Sequence, residues 1–150
     1  MMYNTHLAFG LLLGLLGIIF LKPANPILFI VIVGFASILP DIDHPDSKIG
    51  KKVKIIGFLF EHRGFFHSIG ALVLFTVCFY LIFKTSIYSI AFALGYFSHL
   101  IMDAITIKGI MPFHPFSKVS IKGFVKTNSF LETVIFVFAA VFAFWLLLKM

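Results

Sequence analysis

Carboxylates and imidazoles are the side chains of this sequence best suited to chemistry, and they lie in a few short motifs. The stretch ILPDIDHP, residues 38–45, follows an apolar run and contains Asp41 and Asp43, although the whole chain has only six acidic residues. A second motif, HLIMD, places His99 four positions before Asp103. Carboxylates and imidazoles together suit Zn²⁺, Mn²⁺ or Fe²⁺, so the motifs predict a metal site.

The elements that must position these residues are membrane helices. The chain is 61% hydrophobic and 12% charged, whereas about a quarter of the residues in a soluble domain are charged. Five apolar segments stand out, at 5–21, 26–39, 65–83, 87–102 and 130–148. We expect an all-α integral membrane protein: one membrane-embedded domain over residues 1–150, with a bundle of about five transmembrane helices. A short interfacial helix is expected within 40–64, and one irregular loop within 104–128, where KVSIK alternates as a short strand does.

The basic residues predict the orientation of a multi-pass protein in the cell membrane. With five spans, the N-terminus and both long loops share one face with nine Lys and Arg, and the other face has three. The positive-inside rule then places the N-terminus in the cytoplasm and the C-terminus outside. Lysines between apolar runs also indicate contact with anionic lipid headgroups and not with nucleic acid.

On this topology the histidines and aspartates of four helices come to one end of the bundle. Small residues occupy the same helical stripes, with Gly10 and Gly14 below the first histidine and Gly95 before the fourth-helix pair. Because small residues mark the faces where membrane helices touch, the polar groups are expected to face a shared interior. The predicted ligands hold one or two divalent ions, zinc being favoured over Mn or Fe, and they are His6, Asp41, Asp43, His67, His99 and Asp103.

Simpler interpretations exist for each motif taken alone. A His and an Asp four residues apart could be a hydrogen-bonded pair that fixes a helix end, and the two aspartates after Pro40 could form a solvated turn. His114, framed by prolines and phenylalanines, is left open as a further member of the site. The joint arrangement favours the metal site.

The stretch EHRGFFHS, residues 61–68, adds an anion-binding pattern. Arg63 is the only arginine of the chain, and Ser68 begins a helix whose free amides favour an anion. With a metal ion nearby this combination suits a phosphate, so Arg63 and Ser68 are predicted to bind substrate. His62 and Arg63 are the predicted catalytic residues, with His62 protonating the leaving oxygen or serving as a further ligand. The alternative is a plain salt bridge from Arg63 to Glu61 or Asp46.

A set of short motifs, in a fixed order, spans most of the chain. The motifs are TH at 5–6, LPDIDHP at 39–45, HRGFFHS at 62–68, GYFSHLIMD at 95–103, Thr106 with Gly109 and Pro112, and PF at 115–116. This set resembles the YdjM-like family of inner-membrane proteins. The resemblance implies a metal-dependent hydrolase in the membrane and does not supply a substrate. Phe66 stands where the family pattern usually has a small hydroxyl residue, so a hydrogen bond from that position is not expected here.

The leading hypothesis is a hydrolase at the cytoplasmic membrane surface that cleaves a phosphoester of a lipid or lipid-linked molecule, with metal ions activating water and polarising the phosphoryl oxygen. A divalent-cation transporter or channel is the competing class. Transport sites usually lie near the bilayer midplane in broken helices, whereas these ligands gather at one end. A haem protein with His6 and His99 as axial ligands is a third reading, which the surrounding carboxylates disfavour. A homo-oligomer remains open.

Overall fold

The fold is a bundle of five α-helices, as predicted, in a computed structural model that describes residues 1–43 and 63–150. The predicted interfacial helix within 40–64 lies for the most part outside the described residues. The helix bounds are α1 Tyr3–Leu21, α2 Pro26–Ala36, α3 Ile69–Phe83, α4 Ser86–Ala104 and α5 Phe130–Lys149. Two short 3-10 turns, Leu39–Asp43 and Phe65–His67, follow α2 and precede α3.

Local sequence signals explain where the helices begin and end. Asn25 caps α2 by accepting a hydrogen bond from Leu28 N at 2.9 Å, directly before Pro26 at the first helical position. Lys22 and Lys84 close α1 and α3 in the left-handed conformation. The chain therefore turns back sharply after α1 and α3, on the face of the bundle opposite to the predicted site.

Helix α4 is the centre of the bundle, since it contacts α1, α2 and α3, while α5 packs mainly on α1. The predicted small-residue stripes lie at these contacts. A Cβ atom at Gly95 would overlap the carbonyl oxygen of Val33, and one at Gly10 would meet Ser37 Cβ at 2.5 Å. The helices approach so closely that only glycine fits, which brings the ends of α1, α2 and α4 together.

The bundle has the surface of a membrane protein. Helices α1, α4 and α5, and α2 extended through its 3-10 turn to Asp43, are long and apolar enough to cross a bilayer, and α3 is a shorter apolar helix of 15 residues. Large apolar side chains stay exposed along them, among them Phe20, Ile82, Phe138 and Leu148. A water-soluble domain does not expose apolar area on this scale, whereas lipid covers it at no cost.

The loop between α4 and α5, residues 105–129, folds back on itself. Ile110 and Ile121 exchange backbone hydrogen bonds of 3.0 and 2.9 Å in an antiparallel bridge, and Thr106 pairs with Val125 in a parallel one. The short strand predicted from the alternation of KVSIK does not form in the described chain, where only Ile121 of this stretch takes part in an isolated bridge. Val125 and Ile110 are buried, so the loop is anchored on the helices.

Candidate metal centre

Four helix ends deliver imidazole and carboxylate groups to one buried point. His6 lies in the first turn of α1, His67 ends the 3-10 turn before α3, and His99 and Asp103 lie one turn apart near the end of α4. His6, His67 and His99 are fully buried, and Asp103 is 1% exposed. Asp41, after α2, joins them with 16% of its side chain exposed. The predicted convergence of these groups is therefore present in the structure.

Backbone and carboxylate acceptors fix the two central imidazoles. His99 Nδ1 lies 2.8 Å from the carbonyl oxygen of Ser37, so it must donate its proton there. His67 Nδ1 lies 3.2 Å from Asp43 Oδ2. With both Nδ1 atoms used as donors, the ligand nitrogen of each ring is Nε2, and the two Nε2 atoms face each other at 3.2 Å. Two nitrogen lone pairs repel at that distance unless a cation or a proton lies between them.

Asp103 connects the remaining groups. Its Oδ1 atom lies 3.3 Å from His6 Nε2 and also contacts the amine of Met1. Its Oδ2 atom lies 3.4 Å from His67 Nε2 and 3.8 Å from His99 Nε2. Because its two oxygens face different imidazoles, this carboxylate has the geometry to bind one ion or to bridge two.

Among residues 1–43 and 63–150, two overlapping sets of three side chains have ligand atoms within 4.8 Å of one another: His6, His99 and Asp103, and Asp41, His67 and His99. Nitrogen and oxygen ligands of a tetrahedral zinc ion, at bonds of about 2.0–2.2 Å, lie about 3.3–3.6 Å apart. The separations measured among His67, His99, Asp41 and Asp103 are 3.2 to 4.0 Å, which brackets that spacing and is on average slightly wider. His99 belongs to both sets but offers one lone pair, so it can serve one ion at a time.

Unsatisfied buried atoms support the same interpretation. Neither ring nitrogen of His6 has a hydrogen-bond partner among the described residues, and the same is true of Asp103 Oδ2. His6 Nε2 and Arg63 Nη2 lie within ion-pair distance of Asp103, but their geometry does not satisfy His6 or Oδ2 by hydrogen bonds. Leaving such groups without partners costs about 1–3 kcal/mol each, and a bound cation removes that cost. The donor set, free of thiolate, therefore fits a hard or borderline divalent ion.

Comparison with known proteins identifies the same family as the sequence motifs. A sequence profile described as the YdjM inner membrane protein matches residues 1–149. The chain belongs to the YdjM inner membrane protein family. It is 34% identical to the protein YvsG of Bacillus subtilis (strain 168) over 120 residues, 74% of this chain and 72% of YvsG. It is 39% identical over 82 residues to the inner membrane protein YdjM of Escherichia coli (strain K12), a segment that is 49% of this chain and 42% of that protein. No solved structure matches the chain significantly.

Three of the residues considered as functional from the sequence lie outside the two ligand sets of this YdjM-family structure. Asp43 contacts His67 Nδ1, the nitrogen turned away from the other imidazole, and is in neither ligand set. Its role as a direct ligand stays a prediction. Arg63 makes an ion pair of 3.1 Å with Asp103. The predicted alternative, a salt bridge from Arg63 to Glu61 or Asp46, lies outside the described residues. His114 is outside both ligand sets.

Ser68 lies at the N-terminus of α3, as predicted, but its hydroxyl is bound to its own turn. The hydroxyl oxygen accepts from Ala71 N at 3.1 Å, and the hydroxyl donates to Phe65 O at 2.7 Å. Ser68 is fully buried, so its visible role is to cap α3 and to hold the turn that carries His67. Contact with substrate stays a prediction for Ser68, and His62 lies outside the described residues.

The electrostatics of His67 are strongly perturbed. Complete burial lowers its pKa, but hydrogen bonds and charge interactions with Asp103 and Asp43 outweigh burial and raise the pKa to about 9. Without a metal ion the ring is therefore protonated near neutral pH. That proton lies among the same carboxylates and imidazole that would hold a metal ion, so an ion must displace it.

Sequence reasoning missed the groups that support the centre. Thr106 Oγ1 and the carbonyl oxygen of Gly109 accept hydrogen bonds of 3.0 and 2.7 Å from Arg63 Nη1. Tyr96 donates a hydrogen bond of 2.6 Å to the carbonyl of Phe66, within the turn that ends at His67. Thr106 and Gly109 were visible as family motif residues, but the sequence carries no signal for the carbonyl acceptors.

Proposed function

We propose that this chain is a membrane-embedded, metal-dependent hydrolase that cleaves a phosphoester of a lipid or lipid-linked molecule at the cytoplasmic face. His6, Asp41, His67, His99 and Asp103 hold one or two divalent ions, zinc being the best match to the donors. Bound there, the metal activates water and neutralises charge on the phosphoryl oxygens. The rest of the site orients the ligands and the substrate.

The observation that carries this proposal is the pair of facing Nε2 atoms of His67 and His99, 3.2 Å apart. Each ring is held by its other nitrogen, His99 on the Ser37 carbonyl and His67 on Asp43. Metal-binding histidines characteristically have this support, which fixes the tautomer and raises the basicity of the ligand nitrogen. The 3.2 Å distance also fits a hydrogen bond from protonated His67 to His99, and a metal ion bound there takes the place of that proton.

The position of the centre supports a substrate that arrives at the membrane surface. All of its ligands lie at one end of the bundle, at the ends of α1, α2 and α4 and the start of α3. Asp41 is 16% and Arg63 12% exposed, so these two form the accessible side of an otherwise buried centre. Five basic residues of the described chain lie at this end and three at the other, which supports a cytoplasmic orientation.

Arg63 is the residue best placed to hold a phosphate oxygen. Its Nη1 and Nη2 atoms bind Thr106, Gly109 and Asp103, while its buried Nε atom has no hydrogen-bond partner among the described residues. The guanidinium is thus fixed beside the ligands before any substrate binds. A preorganised positive charge at the reacting phosphate stabilises the charge that develops in the transition state. His62 remains the proposed proton donor to the leaving oxygen.

The competing functions fit the observations less well. The rings of His6 and His99 stack face to face at 3.8 Å with planes 10° apart, which leaves no room for a porphyrin between them. A transport site would be expected near the bilayer midplane, within broken helices. Here the ligands lie at helix ends, and the described helices α1 and α4 run without a break through their whole length.

The experiment compares the isosteric variants Asp103→Asn and Glu132→Gln with the wild type, reconstituted in liposomes with phosphoester and acyl-ester lipids. Glu132 is a suitable control because it is also a buried acid but bonds to backbone amides of Met2 and Asn128 and belongs to neither ligand set. We expect metal content and phosphate release to be lost in Asp103→Asn and kept in Glu132→Gln. Full metal content with normal turnover in Asp103→Asn would refute the proposal, and Asp103-dependent zinc uptake into sealed vesicles would favour transport.

A further inference from the structure

A basic cavity lies beside the metal centre, between Arg63 and the α4–α5 loop. It has a volume of about 240 Å³. Its described lining contains four cationic side chains and no acidic one: Arg63, Lys108, Lys118 and Lys122. Gathering like charges around one concave space is unfavourable unless an anion neutralises them. We call this space the basic pocket.

The local sequence explains why three lysines share the pocket. Lys118, Ser120 and Lys122 alternate with Val119 and Ile121 along the loop, and the three polar residues all line the pocket. This is the period of two expected of extended chain. The bridge between Ile110 and Ile121 holds the segment in register with the part of the loop that carries Lys108.

Arg63 joins the pocket to the metal centre. It lines the pocket and, at the same time, its Nη2 atom lies 3.1 Å from Asp103 Oδ2. Its Nη1 atom donates to the carbonyl of Gly109, which also lines the pocket. Gly109 has φ +69° and faces Ile121 O so closely that no Cβ fits there, so this contact requires glycine. The Arg63 side chain therefore lies between the basic pocket and the metal centre and contacts both.

The loop that carries the lysines also exposes large apolar side chains. Ile107, Phe113, Phe116 and Phe124 are each more than half exposed, and Phe116 is 96% exposed. Such a mixture of lysines and bare aromatic rings outside the helices is typical of chain that lies in the headgroup layer, with the rings in lipid. With those rings in lipid, the pocket would lie at the depth of lipid phosphates, which favours a lipid headgroup over a free phosphate as its ligand.

We infer that the basic pocket binds the headgroup of an anionic lipid through a phosphomonoester or diphosphate group. A phosphomonoester carries about −1.5 to −2 charges at pH 7 and a diphosphate more, which matches several cations better than the single charge of a phosphodiester. The cavity is smaller than the roughly 300–1,000 Å³ of sites that enclose drug-sized ligands, so it accommodates the headgroup and leaves the chains in the bilayer. This inference rests on the proposed function, because it names the substrate class of the same hydrolase.

The test measures lipid binding separately from turnover. Dioctanoyl phosphatidic acid, dioctanoyl phosphatidylglycerol and inorganic pyrophosphate are titrated into EDTA-treated protein in a nonionic detergent. The variant is the triple change Lys108→Gln, Lys118→Gln and Lys122→Gln. The charge-matched control is Lys22→Gln, Lys84→Gln and Lys149→Gln, which removes three lysines from the opposite end of the bundle. Arg63 is left unchanged because it belongs to the proposed catalytic machinery.

We expect wild type and control to bind phosphatidic acid more tightly than phosphatidylglycerol, and the pocket variant to lose at least about tenfold in affinity for phosphatidic acid. Equal affinities in the two triple variants, or no preference for the phosphomonoester, would overturn the inference. Pyrophosphate binding as tight as lipid binding would overturn the lipid as ligand. Preferential binding of phosphatidic acid without hydrolysis of any phosphoester would uphold the pocket and refute the hydrolase. Hydrolysis that is unchanged in the pocket variant would uphold the hydrolase and refute the pocket as its substrate site.

Discussion

Replacing Asp43 with asparagine separates two roles that the residue could have. Asp43 is fully buried, its Oδ2 atom lies 3.2 Å from His67 Nδ1, and the same oxygen accepts a hydrogen bond of 3.2 Å from Arg63 N. The sequence predicts Asp43 as a metal ligand, whereas this geometry makes it the group that orients His67. Asparagine keeps the shape of the side chain but removes its charge and one acceptor oxygen.

The expected loss follows from the geometry. The carboxylate contacts the far nitrogen of a ligand histidine, and losing such a supporting group lowers metal affinity about 10- to 100-fold. This corresponds to about 1.4–2.7 kcal/mol of binding free energy. Removing a direct ligand would leave the coordination sphere incomplete, so the loss would then exceed 100-fold.

The assay is competition between the purified protein and a chromophoric zinc chelator, with thermal unfolding measured on the same samples. Glu132→Gln is the matched control, since it makes the same change in another buried acid, and its zinc affinity should stay within about threefold of the wild type. A folded Asp43→Asn protein that binds zinc with unchanged affinity would refute the orienting role. One that has lost zinc completely would show that Asp43 is a ligand.

Three further predictions follow from the geometry of the centre. Because a metal ion must displace the proton of His67, whose pKa is about 9, zinc affinity should rise about tenfold per pH unit from pH 7 and level off above pH 9; a flat profile from chelator competition would contradict this. Tyr96→Phe leaves a buried carbonyl without its donor and should lower the free energy of unfolding by about 1–3 kcal/mol. The control Tyr80→Phe, at a 43% exposed position, should have no measurable effect in the same thermal unfolding assay. Gly95→Ala forces α2 away from α4 and should cost about 1–3 kcal/mol and reduce metal content. Gly70→Ala, where the nearest side-chain atom is 3.6 Å away, should be neutral, and equal destabilisation of both glycine variants would argue against the close α2–α4 contact.

Much of the fold was predictable because hydrophobic length is a strong signal in membrane proteins. All five apolar segments form helices, and Gly10 and Gly95, from two separate predicted stripes, lie at the predicted helix contacts. The boundary of α3 differs, because Ser68 caps a helix that begins at Ile69, while the preceding turn Phe65–His67 is held by Tyr96. An apolar run does not show where a hydroxyl and a distant phenol interrupt it.

The site was predictable to the level of side-chain type and depth. His99 and Asp103, one turn apart on α4, and the aspartates after α2 indicated the convergence because topology fixes which helix ends meet. The sequence could not show which nitrogen of each histidine is available. The available nitrogen is determined by the Ser37 carbonyl for His99 and by Asp43 for His67. Because every residue has a backbone carbonyl, the sequence does not show which one accepts a hydrogen bond from a histidine. The partner of Arg63 was equally hidden, since the contact spans forty positions.

X-ray absorption at the zinc edge, combined with elemental analysis of protein purified without added metal, tests the metal centre most directly. We predict about one or two ions per chain with only nitrogen and oxygen ligands at about 2.0–2.2 Å and a clear imidazole signature, all lost in Asp103→Asn. Protein that is folded and active on a phosphoester lipid without metal, or a metal bound through sulfur, would contradict the account.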